Sequence, residues 1–401
     1  MKQDIHKILL LTGSLIFAVV QNTAAQGEVD SSQGTIEKTK HWVLNGYLKD
    51  LQSIQFTDIK KKWTLDNLVH NRLDLHWYAD SLWKIHVGVR NRLYYGESVP
   101  LYKQNKKLLG ANNDFFDLSK TIVSGESFLL HSTVDRASVD FTKGKWQVTA
   151  GRQRINWGVN LVWNPNDIFN AYSYFDFDYE ERPGTDAVRI QYYLNSTSSA
   201  ELAYKPGKHS GETILAGLYR FNKGSYDIQL LSGMMNNDLV IGGGWSGTLG
   251  QTGFNGEITS FTPLKHFQLS KTILSASAGI NYTFPNSLYL HGAYLLNSAG
   301  ILHADSLTAN LLLNNVSAKS LSPSRHSLFV ESAFQFTPLI RGDLAGIINP
   351  SDGSFFASPF ITFSLTNSME LLTGGQLFFG KMNSLYGGYE KIILLRFKWS
   401  F

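Results

Sequence analysis

Apolar and polar residues alternate along most of the chain after residue 41. In one stretch Leu73, Leu75 and Trp77 fall on one face and Arg72 and His76 on the other. Alternation of this kind, sustained over about ten residues, is typical of a half-buried β-strand and not of a helix. The segments that share the pattern are 42–56, 64–78, 83–96, 127–142, 145–155, 185–194, 198–205, 212–222, 225–235, 238–249, 251–262, 270–284, 286–298, 326–338, 340–349, 353–366, 368–380 and 390–401.

The connections between these segments differ in length in a regular way. The three long ones, 97–126, 156–184 and 299–325, all follow odd-numbered segments, whereas connections after even-numbered segments are as short as 143–144 and 285–286. Short periplasmic turns, long outer loops and an even number of antiparallel strands characterise outer-membrane barrels. The sequence therefore predicts an all-β fold, a single transmembrane antiparallel β-barrel of about 18 strands, with 16 as the alternative, and with long extracellular loops.

The last strand carries an apolar stripe that ends on an aromatic residue. Ile393, Leu395, Phe397, Trp399 and Phe401 alternate with polar or basic neighbours. Such a stripe suits a face turned to lipid, whereas a soluble edge strand this apolar would promote aggregation. The segment resembles the terminal strand that outer-membrane proteins present to the barrel-assembly machinery, so we expect that machinery to be a partner through Phe401.

The start of the chain has the pattern of an export signal. Residues 1–25 combine two lysines, the apolar stretch 8–20 and small residues before Gln26, as in a secretory signal peptide. The stretch 8–20 is too short to span a membrane, and the rest of the chain has no run of 18 apolar residues, so no spanning helix is predicted. We predict a signal peptide, a flexible leader at 26–41 and a barrel at 42–401 in the cell outer membrane, in contact with its lipid and lipopolysaccharide.

The composition of the chain excludes several classes of site and partner. The chain has no cysteine, which excludes disulfides and cysteine-based metal sites. A net charge of +4 on 17% charged residues lacks the concentrated basic patch of a nucleic-acid binder, so no nucleic-acid partner is expected. Aromatic residues reach 13%, which suits a sheet that meets lipid. No cofactor and no metal site is predicted.

The inward face of the predicted barrel is basic near its start. Arg72, His76, Arg90 and Arg92 have inward parity, and Asp74 is their nearest inward acid. A barrel of 16–18 strands leaves an aqueous channel, and a basic wall raises the local concentration of anions. We expect these four basic side chains to line the lumen.

Charged and aromatic residues are densest between 135 and 189. Long loops without regular structure are usually functional or disordered, and the aromatic content here argues against disorder. We predict that loop 156–184 folds into the pore. The candidate residues of the resulting constriction are Arg136, Arg152, Arg154, Asp176, Asp178, Arg182 and Arg189.

Two of these arginines conflict with strict alternation. If Trp146 faces lipid, the same parity places Arg152 and Arg154 in lipid, at a cost of ~2–4 kcal/mol each near the midplane. A β-bulge at Gly151 would turn both inward, because glycine often marks bulges. The alternative is a strand that ends early and leaves both arginines at the outer rim. We favour the bulge.

The acidic run 176–181 allows two interpretations. Asp176, Asp178 and Glu180 alternate and could offer oxygen ligands to a hard cation such as calcium. The favoured interpretation is a solvated loop that pairs with Arg152, Arg154 or Arg182.

The same region resembles a known family, the alginate-export-like outer-membrane barrels, over about 55 of the 401 residues. The resemblance rests on Gly151-Arg152-Gln153, Trp157-Gly158, Trp163-Asn164 and Asp186-Ala187-Val188-Arg189. It implies an 18-stranded barrel whose arginine-rich lumen conducts an anionic polysaccharide. It also implies that Arg152, Arg154 and Arg189 line the constriction together with Arg136. The acidic run has no counterpart in the family.

These observations predict a non-enzymatic outer-membrane channel, porin- or exporter-like, for a polar and possibly anionic solute. The alternative from another class is a barrel that binds surface polysaccharide or assembles capsule without transport. The third hypothesis is an outer-membrane hydrolase, but the sequence gives it little support because the chain has no G-x-S-x-G, H-E-x-x-H or Walker-type motif.

Overall fold

The computed structural model describes residues 41–104, 109, 114–175, 181–209, 211–265, 271–302 and 316–401. The predicted signal peptide and all but the last residue of the predicted leader lie outside these residues, as do Asp176, Asp178 and Glu180.

The described chain is built almost entirely of β-strands, with one short helix, α1 (Val99–Gln104). All 18 predicted segments coincide with strands whose ends differ from the prediction by at most three residues. The strands are β1 (Trp42–Phe56), β2 (Thr64–Tyr78), β3 (Trp83–Gly96), β4 (Ser119–Ser124), β5 (Phe128–Lys143), β6 (Trp146–Gln153), β7 (Thr185–Tyr193), β8 (Ser199–Lys205), β9 (Ile214–Lys223), β10 (Tyr226–Met235), β11 (Asp238–Leu249), β12 (Thr252–Pro263), β13 (Ile273–Thr283), β14 (Leu288–Asn297), β15 (His326–Thr337), β16 (Ile340–Ile348), β17 (Phe355–Ser364), β18 (Met369–Phe379) and β19 (Lys391–Ser400).

The strands close into an 18-stranded antiparallel barrel. Apart from β4, each strand pairs with its neighbours in sequence, and β19 pairs with β1 from Tyr47↔Ser400 to Phe56↔Lys391. The backbones of Gly46 and Phe401 exchange two hydrogen bonds, of 2.9 and 3.0 Å, at the end of this seam. The short strand β4 pairs only with the first part of β5, beyond the end of β6, so it adds to the wall without changing the strand count.

The connections segregate by length as predicted. At one end of the barrel the strands are joined by short turns such as 144–145, 224–225 and 338–339, and at the other end lie the long connections 97–127 and 154–184. We call these the turn end and the loop end. None of the helices in the described part of the chain has the length and hydropathy to cross a bilayer, a finding that does not bear on strands.

The outer face of the barrel is apolar. Leu230 is 55% exposed and Ile241 54% exposed, although both lie in the middle of regular strands. Ring pairs form a girdle at the turn end: Trp42–Trp77 at 5.2 Å, Trp83–Phe141 at 4.7 Å and Trp146–Tyr192 at 4.6 Å between centroids. A closed antiparallel barrel with a lipid-facing apolar surface is the outer-membrane fold, so the location of the protein is the cell outer membrane.

A bulge exists in this region, but not where the sequence suggested. The β5–β6 and β6–β7 pairings run through Gly151 without a register shift, so the expected bulge there is wrong. The shift lies between β3 and β5, where Gly88 pairs with Arg136 and Val89 with Val134, which leaves Asp135 as the extra residue. This bulge turns Asp135 and Arg136 inward together, and both are buried.

Candidate functional site

A long loop inside the barrel is the main feature of the lumen. We call residues 154–184 the lumen loop; the structure describes 154–175 and 181–184. Its residues bond or pack against inward-facing side chains and backbone of β8, β10, β12, β13, β15, β17 and β18, and then of β1 and β5. The loop therefore crosses the lumen from one wall to the other, which narrows the interior.

A single wall carboxylate holds the middle of the loop. Glu257 of β12 is 1% exposed and accepts hydrogen bonds from three backbone N–H groups of the loop. Oε1 accepts from Val159 and, at 3.0 Å, from Asn160, and Oε2 accepts from Asn166 at 2.8 Å. The Asn166 side chain adds bonds to the Gly243 carbonyl (3.0 Å) and to the Thr259 hydroxyl (2.6 Å). Converging N–H groups of this kind form an anion-binding concavity, here filled by the wall's own carboxylate.

The first turn of the loop is fixed by a tryptophan. Trp157 is buried and donates its indole N–H to Glu201 of β8 at 2.5 Å, while its backbone carbonyl accepts from the Gln229 amide at 2.6 Å. A second bond from Gln191 (2.9 Å) satisfies the other oxygen of Glu201. A buried indole N–H needs such a partner, so this contact fixes where the chain leaves the wall.

The far side of the loop is held by aromatic packing. The Phe175 ring lies 5.0 Å from Phe356 and 6.0 Å from Phe378, and Tyr174 lies 5.2 Å from Phe329. The Phe175 carbonyl also accepts from the Gln376 side chain at 3.0 Å. The pairs with Phe356 and Phe329 are edge-to-face, and pairs of this kind add about 0.5–1.5 kcal/mol each beyond the area that they bury.

The returning end of the loop meets the basic wall. Arg136 donates to the backbone carbonyls of Glu181 (2.8 Å) and Arg182 (2.9 Å), and the Tyr47 hydroxyl donates to the Glu181 carboxylate at 3.0 Å. Arg182 has a left-handed backbone, with φ of 60°, and its guanidinium lies 3.2 Å from the centroid of the Tyr172 ring. Arg136 and Arg182 therefore lie where lumen loop and wall meet.

The four basic side chains predicted for the lumen wall have inward parity in β2 and β3. Arg72 is buried between Asp74 (2.6 Å) and Asp135 (2.5 Å). Arg92 donates to the Leu109 carbonyl at 2.6 Å, and Arg90 pairs in register with Arg72. Acidic partners thus neutralise part of this wall.

Arg152 does not line an open pore. It is 1% exposed and forms a bidentate pair with Asp186 at 2.8 and 2.7 Å, and it also donates to the carbonyls of Phe116 (2.6 Å) and Val134 (3.1 Å). Gly151, with φ of 112°, lies so close to β5 that a Cβ would meet the Ala137 carbonyl at 2.2 Å. The segment that leads into β4 therefore covers Arg152 within the wall, which removes the expected cost of an arginine in lipid.

Arg154 and Arg189 lie on the lumen side. Arg154 follows the end of β6 in the lumen loop and is half-buried, and its charge acts on the nearby carboxyl of Asp167. Arg189 has the inward parity of Ala187, which belongs to a buried apolar cluster with Trp157 and Phe169. Burial raises the pKa of Asp167 to about 7, because desolvation outweighs the favourable charges of Arg154 and Arg182.

The residues that fasten the loop to the far wall were not predicted from the sequence. Glu201 and Glu257 stand alone in strands of ordinary alternation, at inward positions that a solvated lumen would also explain. Their only sequence signal is that parity, since their partners in the lumen loop lie 44 to 98 residues away along the chain.

No family model matches the chain, and no curated protein matches it, so the resemblance to alginate-export-like barrels stays an expectation. Solved structures do match. They include Pseudomonas aeruginosa OccK9 (OpdG), with a TM-score of 0.57 at 9% identity over 92% of this chain and 99% of that one. They also include OccD3 (OpdP) of the same organism, at 0.54 and 10% over 92% and 93%. The outer membrane protein OprD of P. aeruginosa gives 0.55 and 9% over 90% and 93%. The chain therefore has the fold of outer-membrane porins.

Proposed function

We propose that the protein is an outer-membrane channel through which a polar, anionic solute diffuses, and that the lumen loop sets its constriction. The observation that carries the proposal is the position of the described loop residues, which contact the inner wall from β8 to β18 and again at β1 and β5. Side chains that cross a lumen restrict its width and leave the wall charges to select the solute.

The charge distribution supports an anionic solute. Arginines are concentrated on the side of the barrel formed by β2, β3, β5 and β7, where Arg90, Arg92, Arg136 and Arg189 have inward positions. The opposite wall, from β10 to β13, has mainly neutral polar inward residues: Gln229, Asn255, Thr259, Ser275 and Ser277. A transverse field of this kind orients charged solutes and favours anions near the basic wall.

The test is single-channel conductance of the refolded protein in a planar bilayer under a salt gradient. We expect discrete open steps with anion preference. Arg154→Gln and Arg189→Gln should each move the reversal potential toward zero, because each removes a lumen charge. Lys223→Gln is the matched control, since this exposed lysine lies at the turn end of β9 and should leave the potential unchanged. Folded barrels without conductance would contradict the proposal and favour binding or assembly at the outer loops, and cation preference would contradict the role of the arginines.

A further inference from the structure

Two histidines and an aspartate converge on the lumen wall near the turn end. Asp74 and His76 lie on β2 and His86 on β3, and each offers a ligand atom within 4.8 Å of the other two. The register pairs His76 directly with His86, and their rings stack with centroids 4.1 Å apart. Regular strand pairing therefore places all three side chains on one inward patch.

The carboxylate of this group is oriented by its neighbours. Arg72 holds Asp74 Oδ2 at 2.6 Å, which leaves Oδ1 directed at His86 Nε2, 2.5 Å away. Arg72 is itself paired with Asp135 at 2.5 Å, so its charge is already balanced. Hydrogen bonds that fix a carboxylate ligand in this way are typical of the surroundings of metal sites.

The histidines contribute a further sign of a ligand site. His76 Nδ1 is buried and has no hydrogen-bond partner among the described residues. Leaving a buried polar nitrogen unsatisfied costs about 1–3 kcal/mol. A metal cation coordinates an unprotonated ring nitrogen, so binding at Nδ1 would remove this cost.

We propose that Asp74, His76 and His86 bind a divalent transition-metal cation of the zinc class. Two imidazoles with one carboxylate form the ligand set of open three-residue zinc sites, in which further positions are left for water or solute. Calcium and magnesium are disfavoured because they require mostly oxygen ligands. All three side chains are part-buried on the inner wall, with 20–21% of the side chain exposed for His86 and Asp74, so the ion would be reached from the lumen. The site depends on the wall alone and not on the proposed transport.

The test is calorimetric titration of the tag-free, refolded full chain with Zn²⁺. We expect one equivalent to bind with micromolar affinity, and His86→Gln and His76→Gln each to weaken binding at least tenfold. Binding of Cu²⁺ in place of Zn²⁺ should give an electron paramagnetic resonance spectrum with two nitrogen ligands, and one nitrogen in either variant. The matched control is His291→Gln, because His291 also faces the lumen but has Glu331 (3.3 Å) as its only ion-pair partner among the described residues.

Folding of each variant is checked by heat-modifiable gel mobility, which separates closed from unfolded barrels. Loss of binding in folded His76 and His86 variants, with binding kept in the His291 variant, would establish the site. Equal affinity in all folded variants, or no saturable binding by the wild type below millimolar Zn²⁺, would overturn it. If one variant fails to fold, the other gives the same decision, since each removes one ligand.

Discussion

The wall carboxylate of Glu257 offers the sharpest test of how the lumen loop is held. Glu257→Gln keeps the size of the side chain but replaces one acceptor oxygen with an amide donor. The Gln oxygen can still accept from the N–H groups of Val159 and Asn160, whereas the amide nitrogen would face the N–H of Asn166. One buried N–H is then left without an acceptor, at a cost of about 1–3 kcal/mol, and the other bonds lose their charge assistance.

We therefore expect the docked loop to be destabilised by about 2–4 kcal/mol, which raises the undocked population by about 30- to 700-fold. Hydrogen–deuterium exchange measures this directly, because the three N–H groups exchange when the loop leaves the wall. Protection of the peptide that contains Val159 and Asn166 should fall by this factor, and channel records should show more frequent steps to higher conductance.

The matched control is Glu370→Gln, which removes a lumen carboxylate that pairs with Arg396 at 2.7 Å and has no hydrogen bond to the described residues of the loop. Protection of the loop should stay at the wild-type level in this variant. Unchanged loop protection in folded Glu257→Gln would refute the idea that this carboxylate holds the loop.

Three further predictions follow from other contacts. Burial raises the pKa of Asp167 from 3.8 to about 7, so the docked loop binds a proton that the undocked loop releases. Docking should therefore weaken as the pH rises from about 4 to 7 and stay constant above, and Asp167→Asn should reduce this pH dependence in the occupancy of the conductance substates. Arg152→Ala should destabilise the barrel by about 3–5 kcal/mol, because it leaves the Asp186 carboxylate buried without its ion-pair partner. Arg154→Ala should instead change ion selectivity with little loss of stability, and equal denaturation midpoints for the two variants would contradict the buried pair. Phe401→Ala should lower the yield of folded protein in the outer membrane, and normal yield would show that the terminal aromatic ring is dispensable for assembly.

The strands could be predicted from the sequence because a barrel wall imposes one rule on every residue. Lipid on one side and water or polar loop on the other make the alternation of apolar and polar residues nearly strict, so this pattern predicts all 18 strands of the barrel. The sequence pattern does not predict the short strand β4 or helix α1, because each has only six residues and lies within the long connection after β3. Neither meets lipid on a regular face, so no alternation marks them.

The bulge and the loop contacts show where sequence patterns stop being informative. Glycine often marks a bulge, but the structure uses Gly151 for close approach to β5. The bulge at Asp135 is stabilised by Arg72, a residue 63 positions earlier, and no local pattern reveals such a pair. Glu257 likewise gains its importance only when folding brings the loop against β12. Aromatic and charged density did predict that the loop would fold inward.

The course of the lumen loop has a consequence for the order of events during assembly. Its attachments lie on β8 to β18 and also on β1 and β5, while the barrel is closed by the pairing of β1 with β19. A loop that arrived after closure would have to be threaded through one end of a finished cylinder, past residues that already point inward. Docking onto the still-open sheet of β8 to β18 avoids that obstacle, and closing the seam then adds the contacts with Tyr47 and Arg136. Pulse-labelling by hydrogen exchange should accordingly show protection of the peptide around Trp157 no later than protection of β19, and the reverse order would mean that the loop enters a closed barrel.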